Sequence, residues 1–203
     1  MPAFIVTGAD IEPRNERTIE YTLCLHRIFS FGLPTYAVVS EWDGSESGSG
    51  PFLSLASRFS NLVTLRKGVL DGLTKSQKEF MSIQALLSAM DLDDDEFIIK
   101  VSGRYLLLNN SFVDLVTTVK GDAKVNAIVR LCDNDTQQYT FLYAMRFKYF
   151  KEFYQTTVLP PGKNIERAVL EFIHAKGLYE TTLKVSELGI LTNINGEGDF
   201  KIF

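Results

Sequence analysis
The chain has 203 residues, 45% of them hydrophobic and 23% charged, with 21 Lys and Arg against 25 Asp and Glu and a formal net charge of −4. A chain of this length buries about 70% of the surface its unfolded form exposes, so it needs no metal or disulfide staple, and its composition excludes wholesale disorder. The acidic balance speaks against a duplex nucleic-acid partner, which demands a basic excess, and no apolar run approaches the roughly 20 residues that span a bilayer.

The opening residues, Met1 to Gly8, lack the basic n-region of a secretory leader. With no transmembrane segment, the expectation is a soluble, cytoplasmic chain. Residues 3–7 form a short apolar run ending on Thr7-Gly8, the pattern of a buried first strand and a turn. From residue 14 to 31 the pattern turns helical, with Ile19, Leu23 and Ile28 at helical spacing and Gly32-Leu33-Pro34 as the stop. Residues 35–40 (TYAVVS) read as a second strand. Strand, helix, strand is a βαβ unit, and it implies a parallel sheet with a right-handed crossover.

The Gly, Ser and acid run over 41–50 reads as a surface loop. Asn61–Arg66 is a third strand. Residues 74–90 form an amphipathic helix with Phe80, Ile83, Leu86 and Leu87 on one stripe. An acidic turn over 91–96 ends it, and residues 97–101 (FIIKV) form a fourth strand apolar enough to be central. Ser111–Val119 is a short helix with Ser111 as its expected N-cap. Residues 125–131 and 139–145 are strands around a turn at 132–136. Helices follow at 147–154 and 164–175, with Pro160-Pro161-Gly162 between them, and the tail from 182 holds one or two strands. The fold class is α/β with a mixed sheet.

In such a sheet ligands bind beyond the carboxyl ends of the strands, where strand order reverses. The residues that matter are then Thr7, Gly8, Asp10 and Arg14 after the first strand, and Ser40, Glu41 and Asp43 after the second. Lys67 and Gly68 follow the third strand, and Ser102, Gly103, Arg104 and Tyr105 the fourth. Carboxylates, cations and glycines together suit a ligand carrying hydroxyls and phosphates; strand ends are also polar simply because they meet water. The sequence has no GxxxxGK[ST], GxGxxG, GxSxG, HExxH or CxxC, which speaks against P-loop NTPases, dinucleotide dehydrogenases, serine-elbow hydrolases and short-spaced metal sites. Cys24 and Cys132 sit in apolar runs and read as buried free thiols in a reducing compartment.

Three stretches carry a resemblance. They are FIVTGADIEPRNERTIEYTLCLHRI with TYAVVSE, LTKSQKEFMSIQALLSAM with DDDEFIIKVSGRYLLL, and YTFLYAMRFKYFKEFY with KNIERAVLEFIHAKG. In this order the chain resembles a small nucleotide-sugar glycosyltransferase of GT-A type, a class found in bacterial surface-glycan clusters and large DNA viruses. The most distinctive piece is Lys100-Val101-Ser102-Gly103-Arg104-Tyr105. The resemblance implies one GT-A-like domain over 1–203: a mixed, mostly parallel central sheet flanked by helices, with a Rossmann-like nucleotide-sugar-binding half at 1–110 and an acceptor-side half at 111–203. The implied activity moves a sugar from a nucleoside-diphosphate sugar, expected to be UDP-linked, to a glycan acceptor.

Typical GT-A enzymes end the strand after the long helix in Asp-X-Asp, which holds a divalent cation against the diphosphate. Here that position reads Ser102-Gly103-Arg104. Arg104, a planar fork suited to phosphate oxygens, is the expected source of the positive charge that a leaving diphosphate needs, and Gly103 lets the backbone approach. Lys100 shares a strand face with Ser102 and reads as structural. Asp133-Asn134-Asp135 has the Asp-X-Asp form; it is a Mg²⁺ or Mn²⁺ site on one reading and an Asx-rich hairpin turn on the other.

The resemblance places the base and ribose near Thr7, Asp10 and Glu41, and adds Ser102, Gly103 and Tyr105 to the donor site. Arg14 reaches the phosphate or is a helix-start surface charge. Lys78 holds the diphosphate or is an exposed helix lysine, and Arg146 touches acceptor or phosphate. Glu166 matches the base that takes the acceptor's proton, or is an acid favoured by the helix dipole. Two rival functions stay open. A sugar-phosphate nucleotidyltransferase would need a Gly-rich loop ending in Lys or Arg after the first strand, of which GADIEPR is a poor version. The other is a non-catalytic nucleotide- or glycan-binding module.

Overall fold
A computed structural model describes residues 1–9, 15–42, 51–58, 61–66, 68–132, 138–193 and 200–202. Asp10, Arg14, Asp43, Lys67, Asp133 and Asp135 lie outside the described residues, as does the side chain of Glu41.

The chain opens with β1 (Ala3–Ala9), α1 (Asn15–Ser30), β2 (Thr35–Trp42), α2 (Pro51–Ala56), β3 (Asn61–Arg66), α3 (Lys75–Leu87) and β4 (Phe97–Ser102). It continues through β5 (Leu106–Leu107), α4 (Ser111–Val119), β6 (Ala127–Val129), β7 (Leu142–Arg146), α5 (Phe147–Thr156) and α6 (Ile165–Ala175). A 3₁₀ turn at Tyr179–Thr181 leads into β8 (Thr182–Lys184), β9 (Ile190–Asn193) and β10 (Phe200–Ile202).

Among the described residues seven strands form the main sheet in the order β3-β2-β1-β4-β7-β6-β8, and β10-β9-β5 form a small second sheet. β3, β2, β1 and β4 run parallel, whereas β7 is antiparallel to both β4 and β6. The chain leaves β1 for β2 on one side and returns through α3 to β4 on the other, so strand order reverses between β1 and β4. There Thr7 stands in register with Ser102.

Alternation along β4 builds two cores. Phe97, Ile99 and Val101 join Cys24, Leu25 and Ile28 of α1 and Phe112, Val113 and Val116 of α4. Ile98 joins Phe80, Ile83 and Leu86 of α3, Phe150 and Phe153 of α5, and Val169 and Ile173 of α6. β4 is the middle strand of the seven, in line with its apolar sequence.

Several local expectations change. In α1 the buried stripe is Tyr21, Cys24, Leu25 and Ile28, while Ile19 and Leu23 are 60% and 47% exposed. The i, i+3, i+4, i+7 set aligns one face on the sheet, and the skipped positions face solvent. β1 runs past Gly8 to Ala9, and β2 runs on through Trp42 into what reads as loop. α2 has no counterpart in the sequence pattern, because six residues are too few to establish a helical period. Ser111 is the first helical residue and Asn110 the N-cap, while the Asn109 side chain accepts the Ser111 N–H at 3.0 Å. α3 opens on Thr74 with a reciprocal capping box to Gln77 and stops at Leu87. Among the described residues the tail holds three short strands rather than one or two.

Candidate functional site
The carboxyl ends of β1, β2 and β4 open into a cavity of about 710 Å³. Thr7 and Gly8 line it from β1, Ser40 from β2, and Ser102, Gly103, Arg104 and Tyr105 from the turn after β4. α3 contributes Lys75, Lys78, Glu79 and Ser82, the segment before β7 contributes Thr140 and Phe141, and the first turn of α6 contributes Glu166. This is the switch point, where the crevice is made by loops diverging to opposite faces of the sheet.

The turn after β4 is fixed by its backbone. The Gly103 N–H donates to the Thr7 carbonyl at 2.8 Å, the Ser102 N–H to Phe141 at 2.9 Å, and the Tyr105 N–H back to Ser102 at 3.1 Å. Gly103 is buried against β1. Arg104 is half-buried, its guanidinium 5.9 Å from the Tyr105 ring centre, and it makes no ion pair among the described residues. The Tyr105 ring lies 5.0 Å from that of Phe141 and tilted to it by 43°, and the Phe141 ring lies 4.9 Å from that of Tyr139, tilted by 33°.

The carboxylates here are already held. Glu79 pairs with the ammonium of Lys100, which has no exposed surface. Thr140 donates its hydroxyl to Glu166 at 3.1 Å. Asn164 caps α6 by accepting the Arg167 N–H, which sets Glu166 in the first turn at the cavity rim. Both readings of Glu166 therefore meet at one position, because a first-turn acid also faces the cavity. Cys24 lies behind the wall, its sulfur 4.0 Å from the Ser102 carbonyl, and burial pushes its thiol up to about 12. It is no thiolate nucleophile at neutral pH.

Thus Thr7, Lys78, Ser102, Gly103, Arg104, Tyr105 and Glu166 come together at one cavity. Arg146 does not. It pairs with Phe97 at the amino end of β4, on the opposite edge of the sheet. Its guanidinium donates to the carbonyls of Val125 at 2.8 Å, Asp95 at 2.7 Å and Asp122 at 2.6 Å, and lies over the Phe97 ring. Antiparallel β7 carries its last residue away from the site, so an arginine at a strand end belongs here to the fold. Asp94 and Asp95, on that same edge, pair with Lys151 and Lys148 at the surface.

Lys75, Glu79, Ser82 and Thr140 also line the cavity, and strand-end reasoning does not point to them. Lys75 and Glu79 flank Lys78 in one helical stretch and were legible as its neighbours; Thr140 carries no sequence signal. The described carboxylates do not make a hard-cation set. Glu79 is committed to Lys100, and no cluster of three His, Cys, Asp or Glu occurs among the described residues.

No family profile matches the chain, and no curated protein matches it in sequence. Its backbone is similar to solved structures. A mannosyltransferase from Pyrobaculum calidifontis in complex with GDP-Man and Mn²⁺ aligns with a TM-score of 0.60 at 13% identity, over 97% of this chain and 58% of that one. A cytidylyltransferase from Leptospira borgpetersenii aligns at 0.55 and 10% identity, over 97% of this chain and 77% of that one. A 4-diphosphocytidyl-2C-methyl-D-erythritol synthase aligns at 0.53 and 10% identity, over 98% and 96%. The chain spans a little over half the length of the mannosyltransferase. The fold is the GT-A architecture, a mostly parallel sheet flanked by helices that glycosyltransferases share with cytidylyltransferases. Among the described residues no helix is long and apolar enough to cross a membrane.

Proposed function
We propose that this chain is a nucleotide-sugar-dependent glycosyltransferase that binds a nucleoside-diphosphate sugar in the switch-point cavity. The observation that carries this reading is Arg104, a guanidinium held at the cavity by a pinned turn and left without a carboxylate among the described residues. A diphosphate supplies what that fork lacks. Lys78 lines the same cavity from α3 and adds a second cation.

In the transfer, the acceptor hydroxyl oxygen attacks the anomeric carbon and the bond from that carbon to the diphosphate oxygen breaks. The proton passes to the Glu166 carboxylate and the nucleoside diphosphate leaves with the bonding pair. Its charge grows as it leaves, and Arg104 and Lys78 offset that charge. Thr7, Ser102, the Gly103 backbone and Tyr105 shape the donor side. Residues 1–110 form the donor half and residues 111–203, with Glu166, the acceptor side. UDP sugars are the first donors to test. Asp10, Arg14 and Glu41 belong to the donor set, and Asp133 and Asp135 to a Mg²⁺ or Mn²⁺ site, as parts of the same proposal.

Thermal shift with UDP, GDP and CMP, each with and without Mn²⁺, is the deciding experiment. A rise with one nucleoside diphosphate supports the reading, and no rise with any of them removes it.

A second reading is favoured by one observation: the chain covers 96% of the length of the synthase with which it aligns. In a sugar-phosphate nucleotidyltransferase the sugar-phosphate oxygen attacks the α-phosphorus of a nucleoside triphosphate and pyrophosphate leaves. Pyrophosphate release from CTP or UTP with a sugar phosphate selects that reading. Binding without either product selects a non-catalytic module.

A further inference from the structure
Lys100 occupies an interior position of the middle strand, in the run Phe97-Ile98-Ile99-Lys100-Val101. An aliphatic residue would be the ordinary choice there. Its ammonium has three donors, and three acceptors meet it: the Glu79 carboxylate, the Ser102 hydroxyl at 3.0 Å and the Thr140 carbonyl at 2.7 Å. All three partners line the cavity, and Thr140 passes its own hydroxyl to a fourth lining residue, Glu166, at 3.1 Å. A cation that only stabilised the core would have no reason to direct every bond at the wall of one cavity.

We propose that Lys100 is a positioning residue for this cavity. From beneath, it ties α3, the end of β4 and the segment before β7 into one wall, and through Thr140 it holds the Glu166 carboxylate in place for an acceptor hydroxyl. The cation itself meets no ligand, being fully buried. Its effect is orientation: a carboxylate free to rotate wastes encounters that a fixed one does not. The inference rests on the reading of Glu166 as the base.

The test uses Lys100→Met combined with Glu79→Gln, which removes both charges of the pair so that no lone carboxylate is stranded, with Glu79→Gln alone as the reference. Crystal structures of the two read the Thr140–Glu166 contact directly. The expected result is that the contact persists in Glu79→Gln and opens beyond 3.5 Å in the double variant. Sugar transfer should fall at least tenfold in kcat relative to Glu79→Gln, with the KM for donor within about threefold. Thr140→Val, which leaves Lys100 in place but removes the hydroxyl that reaches Glu166, should lose kcat to a similar extent, and an unchanged kcat in it overturns the proposal even where the double variant does not fold. Persistence of the Thr140–Glu166 contact in the double variant overturns the proposal, and so does an open contact with unchanged kcat. A wild-type protein that transfers no sugar from any donor overturns the base reading of Glu166 instead, and the Thr140–Glu166 contact still decides whether Lys100 positions that carboxylate.

Discussion

Lys100 of β4 and Glu79 of α3 form an ion pair across the sheet–helix interface, with the lysine fully buried and the glutamate side chain 19% exposed. Removing one partner leaves the other charge in a poorly solvated place. Lys100→Met alone is expected to cost about 3 kcal/mol, the lower end for breaking a buried pair, because Glu79 keeps some water contact. Adding Glu79→Gln should recover part of that loss. Urea unfolding midpoints of the two single variants and the double close the cycle.

Arg146 gives a contrasting expectation. Its carbonyl partners, Val125, Asp95, Asp122 and, at 3.5 Å, Lys120, join the amino end of β4 to the end of α4 and the turn before β6. Arg146→Leu strands those carbonyls at roughly 1–3 kcal/mol for each one that water does not reach. Lysine offers no planar fork and restores little of this. The melting temperature should fall sharply, while UDP affinity of the folded protein at low temperature stays as in wild type. A lost affinity with an unchanged melting point would reverse the assignment and return Arg146 to the ligand.

These two residues also mark what the sequence discloses. The βαβ opening, the central position of β4 and the placement of Ser102-Gly103-Arg104-Tyr105 at the switch point follow from hydrophobic period and strand ends, which are local signals. Arg104 lies just past the end of β4 and Arg146 is the last residue of β7, yet only the direction of each strand decides which edge of the sheet its end reaches, and direction is set by pairing between distant segments. The same holds for Glu79 and Lys100, two opposite charges in separate elements whose meeting no one-dimensional pattern encodes. In α1, Ile19 and Leu23 satisfy a helical period as well as Tyr21 and Cys24 do. The packing partner selects the face.

Alkaline conditions should destabilise both cores, the one that holds Cys24 and the one that holds Tyr143 and Tyr154. Burial raises the Cys24 thiol from its ordinary 9.0 to about 12, and burial also raises the hydroxyls of Tyr143 and Tyr154, which bond to each other at 3.1 Å. A group whose folded value lies above its unfolded value contributes stability that is complete below the unfolded value and lost as pH climbs toward the folded one. Stability should therefore hold to about pH 9 and then fall by about 1.4 kcal/mol per pH unit for Cys24 alone, steepening above pH 10 as the tyrosines join. Denaturant titrations from pH 7 to 11 measure the slope. Iodoacetamide at pH 8 should leave Cys24 unmodified in the folded protein and label it in urea.

Arg104 has the opposite character: little of the fold depends on it, and the ligand should. The turn that carries it is held by backbone bonds of Ser102, Gly103 and Tyr105, so Arg104→Ala leaves that turn in place. Two charge-assisted hydrogen bonds to a diphosphate are worth about 1.5–3 kcal/mol each, so the variant should weaken UDP binding by at least tenfold while its melting temperature stays within about 2 °C of wild type. Uridine, which has no phosphate, should bind both proteins alike. Arg104→Lys should keep the charge but recover only part of the affinity, since an ammonium does not present two parallel donors. Raising salt should weaken UDP binding to wild type more than to Arg104→Ala, because the variant has lost the charge that salt screens. Calorimetry with UDP and uridine at two salt concentrations measures all of these, and an Arg104→Ala protein that binds UDP as wild type does would move the diphosphate away from this turn.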